Sequence, residues 1–207
     1  MLIPYNLLLE NILEKKVFCS EEEKIQIFPT SKKLEDNYLK IRNEIPEYRK
    51  ENVGRKFINE EEEFFKDWNT FPLRMFDKDY EENMNKCPVL KEILKNDTNI
   101  TSAFFSIMEP GKLLSSHYGP FKGILRYHLG LEIPKGLCYI SVDGETYDWK
   151  EGEGVLFDET YKHFVQNSTD FRRVILFLDV KRPLSFPLNF ANNFILFLMS
   201  ISPYNFI

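Results

Sequence analysis

Three histidines, His117, His128 and His163, are the only ones in a chain of 207 residues, and all fall in its second half. Neutral imidazole offers a nitrogen lone pair at physiological pH, which makes histidine the commonest metal ligand. Taken singly, a histidine in a strand is more often a satisfied core or surface residue. His128 stands in the run Leu125-Arg126-Tyr127-His128-Leu129-Gly130-Leu131. Alternate side chains of a strand point to opposite faces, so the leucines and Tyr127 make ordinary core. Arg126, His128 and Gly130 share the other face: a cation, an imidazole and a gap. Arg173 opens a second apolar run, Arg173-Val174-Ile175-Leu176-Phe177-Leu178-Asp179. A guanidinium entering such a strand needs a planar acid partner or an exit to water. The exit is the plain reading, and a bidentate clamp on a ligand carboxylate the sharper one. A one-residue register change would exchange Arg173 with Arg172.

Such side chains need a β framework to converge, and the sequence offers one from Thr101 onward. Short β-type runs fall near 102–108, 124–133, 137–142, 145–149, 154–158, 163–167 and 172–180, separated by Gly, Pro and Asn. Asp143-Gly144 between two of them is a hairpin signal, because glycine tolerates the left-handed backbone of a tight turn. The spacing predicts a mostly β sandwich or small barrel, and a jelly roll fits. Up to about Asn96 the text is helical and charged. Ser31 is placed to cap a helix running towards Ile45, with Leu34, Tyr38, Ile41 and Ile45 on one stripe and Pro46 as its stop. The acidic run Glu60 to Glu63 reads as a solvated face. Asn189 to Ser200 reads as a helix packed on the core. Its apolar run Phe194 to Met199 is far short of the ~20 residues a bilayer span needs, and weak peripheral membrane contact through the C-terminus is the lesser reading. The expected division is a helical N-terminal extension over 1–96 packed on the barrel, a β core over 97–184 and an apolar C-terminal helix over 185–207.

Composition narrows the function. With 43% hydrophobic and 15% aromatic residues the chain can bury a real core. Its net charge of −5 and the lack of any Lys/Arg stripe argue against a nucleic-acid partner. Cys19, Cys87 and Cys138 are far apart with no CxxC pair, which supports neither a disulfide framework nor a thiolate zinc site. Met1 to Lys16 lacks a basic start and is interrupted by Pro4, Glu10 and Glu14, so it reads as a short amphipathic helix rather than a secretory signal. A reducing, cytoplasmic setting is expected. The sequons at Asn96, Asn99 and Asn167 then carry no meaning.

Four ordered segments, Phe105 to Gly111, His117 to Pro134, Trp149 to Thr169 and Phe171 to Leu184, resemble the aspartyl/asparaginyl β-hydroxylase family, its short bacterial-type members and lipid A hydroxylases more than the large animal enzyme. Weaker similarity touches Asp67-Trp68, Asn83 to Pro88 and Ser202-Pro203. The resemblance implies a double-stranded β-helix, a cupin-like jelly roll, holding Fe(II), with 2-oxoglutarate and O2 as co-substrates. His117 and His163 match the family's iron ligands. Arg173 matches the residue that grips the distal carboxylate of 2-oxoglutarate, and Ser106 the hydroxyl beside it. Arg126 and His128 match the pair lining the co-substrate and substrate pocket. The usual two-His, one-carboxylate site would place an acid at position 119, where this chain, like the family, has Gly119. Asp158 or Glu159 is a candidate to orient a metal-bound water, against the plainer reading of an exposed acid in a turn. Two departures affect the substrate pocket: Arg74 stands near a position where the family often has a further Trp, and Phe164 follows His163 where Glu is common. The implied reaction is hydroxylation of an unactivated C–H, first of all the β-carbon of Asp or Asn in a peptide or protein. Its rivals are a lipid acyl chain, a small amino-acid conjugate, and a cupin-like binding protein without turnover.

Overall fold

The computed structural model describes residues 2–45 and 68–201. Pro46, Glu60 to Glu63, Asp67 and Ser202-Pro203 lie outside the described residues. Among the described residues, ten strands form two antiparallel sheets. The first eight-strand set is β3 (Ile100–Met108), β4 (Lys112–His117), β5 (Ile124–Glu132), β6 (Cys138–Val142), β7 (Glu145–Asp148), β8 (Gly154–Phe157), β9 (His163–Asn167) and β10 (Arg173–Lys181). Two further strands, β1 (Trp68–Met75) and β2 (Lys78–Asp79), extend one sheet to the order β2-β1-β3-β10-β5-β8, and the other runs β4-β9-β6-β7. Interleaving outer and inner strands between two facing sheets in this order is the jelly-roll, or double-stranded β-helix, arrangement. Asp143 and Gly144 both take positive φ, 49° and 87°, as a two-residue hairpin turn between β6 and β7 requires.

Each long strand of the larger sheet separates two cores. Leu125, Tyr127, Leu129 and Leu131 of β5, with Phe105 of β3 and Leu176 and Leu178 of β10, face outward into a cluster completed by helices. These helices are α2 (Glu21–Ile27), α3 (Thr30–Asp36), α4 (Tyr38–Arg42) and α6 (Pro88–Lys95). They contribute Leu34, Ile41, Leu90 and Leu94, with Phe28 set edge-on to Tyr127 at 5.2 Å between ring centroids. The opposite faces of the same strands meet the smaller sheet around Ile140, Val142, Trp149, Phe157, Val165 and Ile175. Flanking α1 (Leu2–Ile12) and α7 (Leu188–Ile201) make a third cluster with Phe121 and Ile124. The short α5 (Glu81–Lys86) ties to β1 through Asn83, which donates to the Pro72 carbonyl at 2.7 Å.

Several sequence expectations need correction. Trp68–Met75 is a strand inside the stretch read as helical, so the sheet begins there rather than near residue 97. Pro72 is paired with Phe104 of β3, beside an irregularity at Pro72/Arg74, and such irregularities are where a strand tolerates proline. The β4 strand was not legible either, and its side chains are half-exposed or exposed. The helix expected from Ser31 to Ile45 is broken at Asn37 into α3 and α4. Ser31 does not cap it: the N-cap is Pro29, and Ser31 is buried within the first turn. The gap at Gly130 is filled by backbone, since a Cβ there would meet the Lys150 carbonyl oxygen at 2.2 Å.

Candidate active site

Antiparallel pairing of β4 with β9 sets His117 directly opposite His163. Their ring centroids are 4.1 Å apart. Each Nδ1 faces the carbonyl two residues earlier, Ser115 O at 2.8 Å and Tyr161 O at 2.9 Å. A carbonyl can only accept, so each Nδ1 carries the proton and each Nε2 the lone pair, the tautomer that metal-ligating histidines use. Burial pushes His163 down to about 3, with the neighbouring His117 adding to the shift, and burial lowers His117 as well. Both rings are therefore neutral at physiological pH. Among the described residues there is no cluster of three or more His, Cys, Asp or Glu side chains placed to hold a metal ion. What the fold provides is a pair of imidazoles.

Across the interior, the inward faces of β3, β5 and β10 bring Ser106, Arg126, His128 and Arg173 to the same cavity as the two histidines. Register fixes this convergence: Ser106 lies opposite Ile175, His128 opposite Phe177, and Arg126 opposite Asp179. Arg173, not Arg172, points inward and is 3% exposed, whereas Arg172 pairs outside with Glu132 at 2.9 Å. The Arg173 guanidinium reaches the Ser106 hydroxyl at 3.4 Å and lies 5.0 Å from the Trp149 ring centroid. Its Nε has no hydrogen-bond partner, and no described carboxylate pairs with it. Burial lowers its pKa to about 10, which still leaves it charged at neutral pH. His128 is buried among Phe157, Phe177 and Trp149, with neither ring nitrogen hydrogen-bonded. Its pKa is well below the ordinary range, because of burial first and then the charges of Arg126 and Arg173. Orphaned buried polar atoms of this kind require a ligand or ordered water. A planar carboxylate fits Arg173 and Ser106, and a divalent metal with nitrogen preference fits the histidine pair.

The two acids before His163 separate cleanly. Asp158 is held by Lys122 at 3.1 Å, by Arg182 at 2.6 Å and by the Thr160 hydroxyl at 2.6 Å, and serves as a structural clamp. Glu159 is 1% exposed and ion-paired with Arg126, which also pairs with Asp179 at 3.1 Å and stacks 4.1 Å over Phe177. Burial raises the Glu159 carboxyl against the pull of Arg126. A Cβ on Gly119 would stand 2.3 Å from Glu159 Cδ, so Glu159 fills the space beside the position where a third protein ligand is ordinarily found.

Trp68 was not singled out as a site residue. It lines the cavity from β1 and donates from Nε1 to the Ser106 hydroxyl at 2.8 Å. The weak Asp67-Trp68 similarity was its only signal. Neither sequence departure reaches the cavity. Arg74 pairs with Asp79 at 2.6 Å and donates to the Ile100 carbonyl at 3.2 Å, and Phe164 packs against Tyr139 on the outer face of β9.

A family model described as aspartyl/asparaginyl β-hydroxylase matches residues 35–183. An ornithine lipid ester-linked acyl 2-hydroxylase of Rhizobium tropici is 34% identical over 86% of this chain and 66% of its own length. The aspartyl/asparaginyl β-hydroxylase of Mus musculus is 33% identical over 73% of this chain and 21% of its own. An aspartate β-hydroxylase domain-containing protein 2 of Xenopus tropicalis is 35% identical over 56% of this chain and 34% of its own. The chain thus spans a little under two thirds of the rhizobial relative and about a fifth of the murine one. Matched over residues 35–183, a span that contains every described strand, the chain belongs to the aspartyl/asparaginyl β-hydroxylase family.

Proposed function

We propose that the protein is an Fe(II)- and 2-oxoglutarate-dependent oxygenase that hydroxylates an unactivated C–H bond. One juxtaposition carries this reading: two neutral imidazoles with Nδ1 held by backbone carbonyls, and a buried guanidinium with no acid partner among the described residues, line one cavity. His117 and His163 would hold the iron. Arg173 and Ser106 would take the distal carboxylate of 2-oxoglutarate through charge-assisted bonds, with Trp68 orienting the hydroxyl. When bound, the iron and keto acid supply oxidation of a C–H bond by O2, coupled to decarboxylation of the keto acid to succinate. The protein's part is placement and exclusion of water. Phe157, Ile140, Val165 and Ile175 wall the cavity with apolar surface, and His128 offers a neutral ring to co-substrate or substrate. Of the two candidate acids, Asp158 is taken up by Lys122 and Arg182, so Glu159, ion-paired with the cavity residue Arg126, is the one that would orient a water there. The three cysteines are free, and a reducing, cytoplasmic setting belongs to the same proposal.

Two substrate readings follow. The family's name supports the β-carbon of an Asp or Asn residue in a peptide. The exposed Phe190, Phe194 and Phe197 of α7, and a relative named as a lipid acyl hydroxylase that aligns with 86% of this chain, favour an acyl chain. Succinate release from 2-oxoglutarate with Fe(II), against panels of Asp/Asn peptides and acyl lipids, tests both. An O2- and iron-dependent turnover that yields a product heavier by one oxygen is expected. Binding of 2-oxoglutarate with no O2-dependent succinate from either panel would instead identify a binding protein.

A further inference from the structure

Helices α1 and α7 meet around one core, and each leaves apolar side chains exposed among the described residues. The Tyr5 hydroxyl of α1 donates to the Leu188 carbonyl of α7 at 3.0 Å, and Tyr5, Leu9, Ile195, Leu196 and Met199 share a core with Phe121. Opposite that core, α7 carries Phe190, Phe194, Phe197 and Ile201 at spacings of four, three and four residues, which places them on one stripe. They are 71%, 53%, 55% and 57% exposed. On α1 the outward side chains are Ile3, Leu7, Leu8 and Ile12, all exposed. Charge is nearly absent: α7 has no charged residue and α1 only Glu10, in a chain where 29% of residues are charged.

A helix apolar on both sides is at home only where both sides meet apolar surroundings. The outer face gives a charged partner nothing to pair with, and its phenylalanines and aliphatics lack the Trp, Tyr and Arg anchors on which protein interfaces centre. At ~1.5 Å per residue, α7 is too short to cross a hydrocarbon core of roughly 30 Å, and no helix among the described residues is long and apolar enough to span one. An electrically neutral, in-plane contact remains. The face is also joined to the site. Asn6 of α1 bridges the Pro120 carbonyl at 2.8 Å and the Lys122 amide at 2.9 Å, and Asn192 of α7 donates to the Gly123 carbonyl at 2.8 Å. These bonds pin the segment that leads from His117 into β5.

We propose that the α1/α7 face seats the protein on a zwitterionic phospholipid surface, with both helices in the interfacial plane and Phe190, Phe194 and Phe197 among the acyl chains. The proposal goes beyond the reaction assigned above and stands without it. Flotation of the full chain with phosphatidylcholine vesicles tests it. Wild type should float, and Phe190→Asn/Phe194→Asn/Phe197→Asn should lower partitioning by about tenfold or more. Leu7→Asn/Leu8→Asn should lower it independently from the other helix. Phe171→Asn, exposed beyond the opposite end of β10, should leave it unchanged. With no ion pairs involved, binding should persist at ~1 M salt. The proposal fails if wild type stays with the buffer, if both helix variants float like wild type, or if salt releases the protein. It also fails if light scattering finds a lipid-free dimer that the triple variant dissolves, because a second copy would then cover the face. Succinate release in the same samples keeps the two ideas apart: turnover without flotation removes the docking alone, and flotation without turnover removes the oxygenase reading alone.

Discussion

A buried guanidinium with no counter-charge is costly, by several kcal/mol for a fully desolvated ion, and among the described residues Arg173 has no acid partner, a position that the proposed co-substrate carboxylate would relieve. Arg173→Leu should therefore raise the 2-oxoglutarate concentration for half-maximal succinate release by about 10- to 100-fold. It should leave the melting temperature equal or higher, since an unpaired buried charge is removed. A parallel loss of stability would mean that Arg173 is structural. Gly119 is the second test at this scale. Gly119→Ala forces a methyl against Glu159 Cδ at 2.3 Å and should cost about 1–3 kcal/mol in denaturant unfolding, much of it recovered in Gly119→Ala/Glu159→Ala. An unchanged single variant would show that Glu159 moves aside freely. Arg126 and His128 were legible in the sequence because a strand's period of two put them opposite four large core side chains. Arg173 was legible as a lone charge in an apolar run, with Arg172 left as its rival until the register was seen. Trp68 was not, because its bond to Ser106 crosses 38 residues and exists only through β1–β3 pairing.

Asp158 joins three elements: Lys122 from the segment entering β5, Thr160 from the loop before β9, and Arg182 just after β10. Burial alone would raise its pKa, but Arg182, Thr160 and Lys122 together hold it below the ordinary carboxylate range. A depressed folded-state value gives stability that is present above the unfolded pKa of about 3.9 and is lost as pH falls through the folded value. Asp158→Asn should thus cost about 3 kcal/mol near neutrality, and its deficit against wild type should shrink below about pH 4. A deficit independent of pH would contradict the clamp. The β half of the chain could be read in advance because Gly, Pro and Asn punctuate runs of Val, Ile, Leu and Phe. The β4 strand escaped because its exposed polar half shows no alternation, and β1 because Pro72 argues against a strand and the irregularity that accommodates it arises only on pairing with β3. The break at Asn37 depends on how α3 and α4 pack around β5, which local periodicity does not contain.

The two largest cores share the larger sheet: one face packs on the N-terminal helices and the other encloses the cavity. The helices and the barrel should therefore unfold together. Leu34→Ala, at a fully buried position on α3, should lower the stability of the whole chain by about 2–5 kcal/mol in a single transition. An early, separate loss of helix would show instead that residues 2–45 are an independent layer. The central claim is that one Fe(II) sits between His117 and His163 with 2-oxoglutarate beside Arg173. Anaerobic titration of Fe(II) and 2-oxoglutarate, followed by the visible charge-transfer band that a chelated keto acid gives on ferrous iron, reads that claim directly. The account predicts a band saturating at one iron per chain, absent in His117→Ala and His163→Ala, and needing far more 2-oxoglutarate in Arg173→Leu. A chain that develops no such band, or one whose band survives both histidine changes, would contradict it.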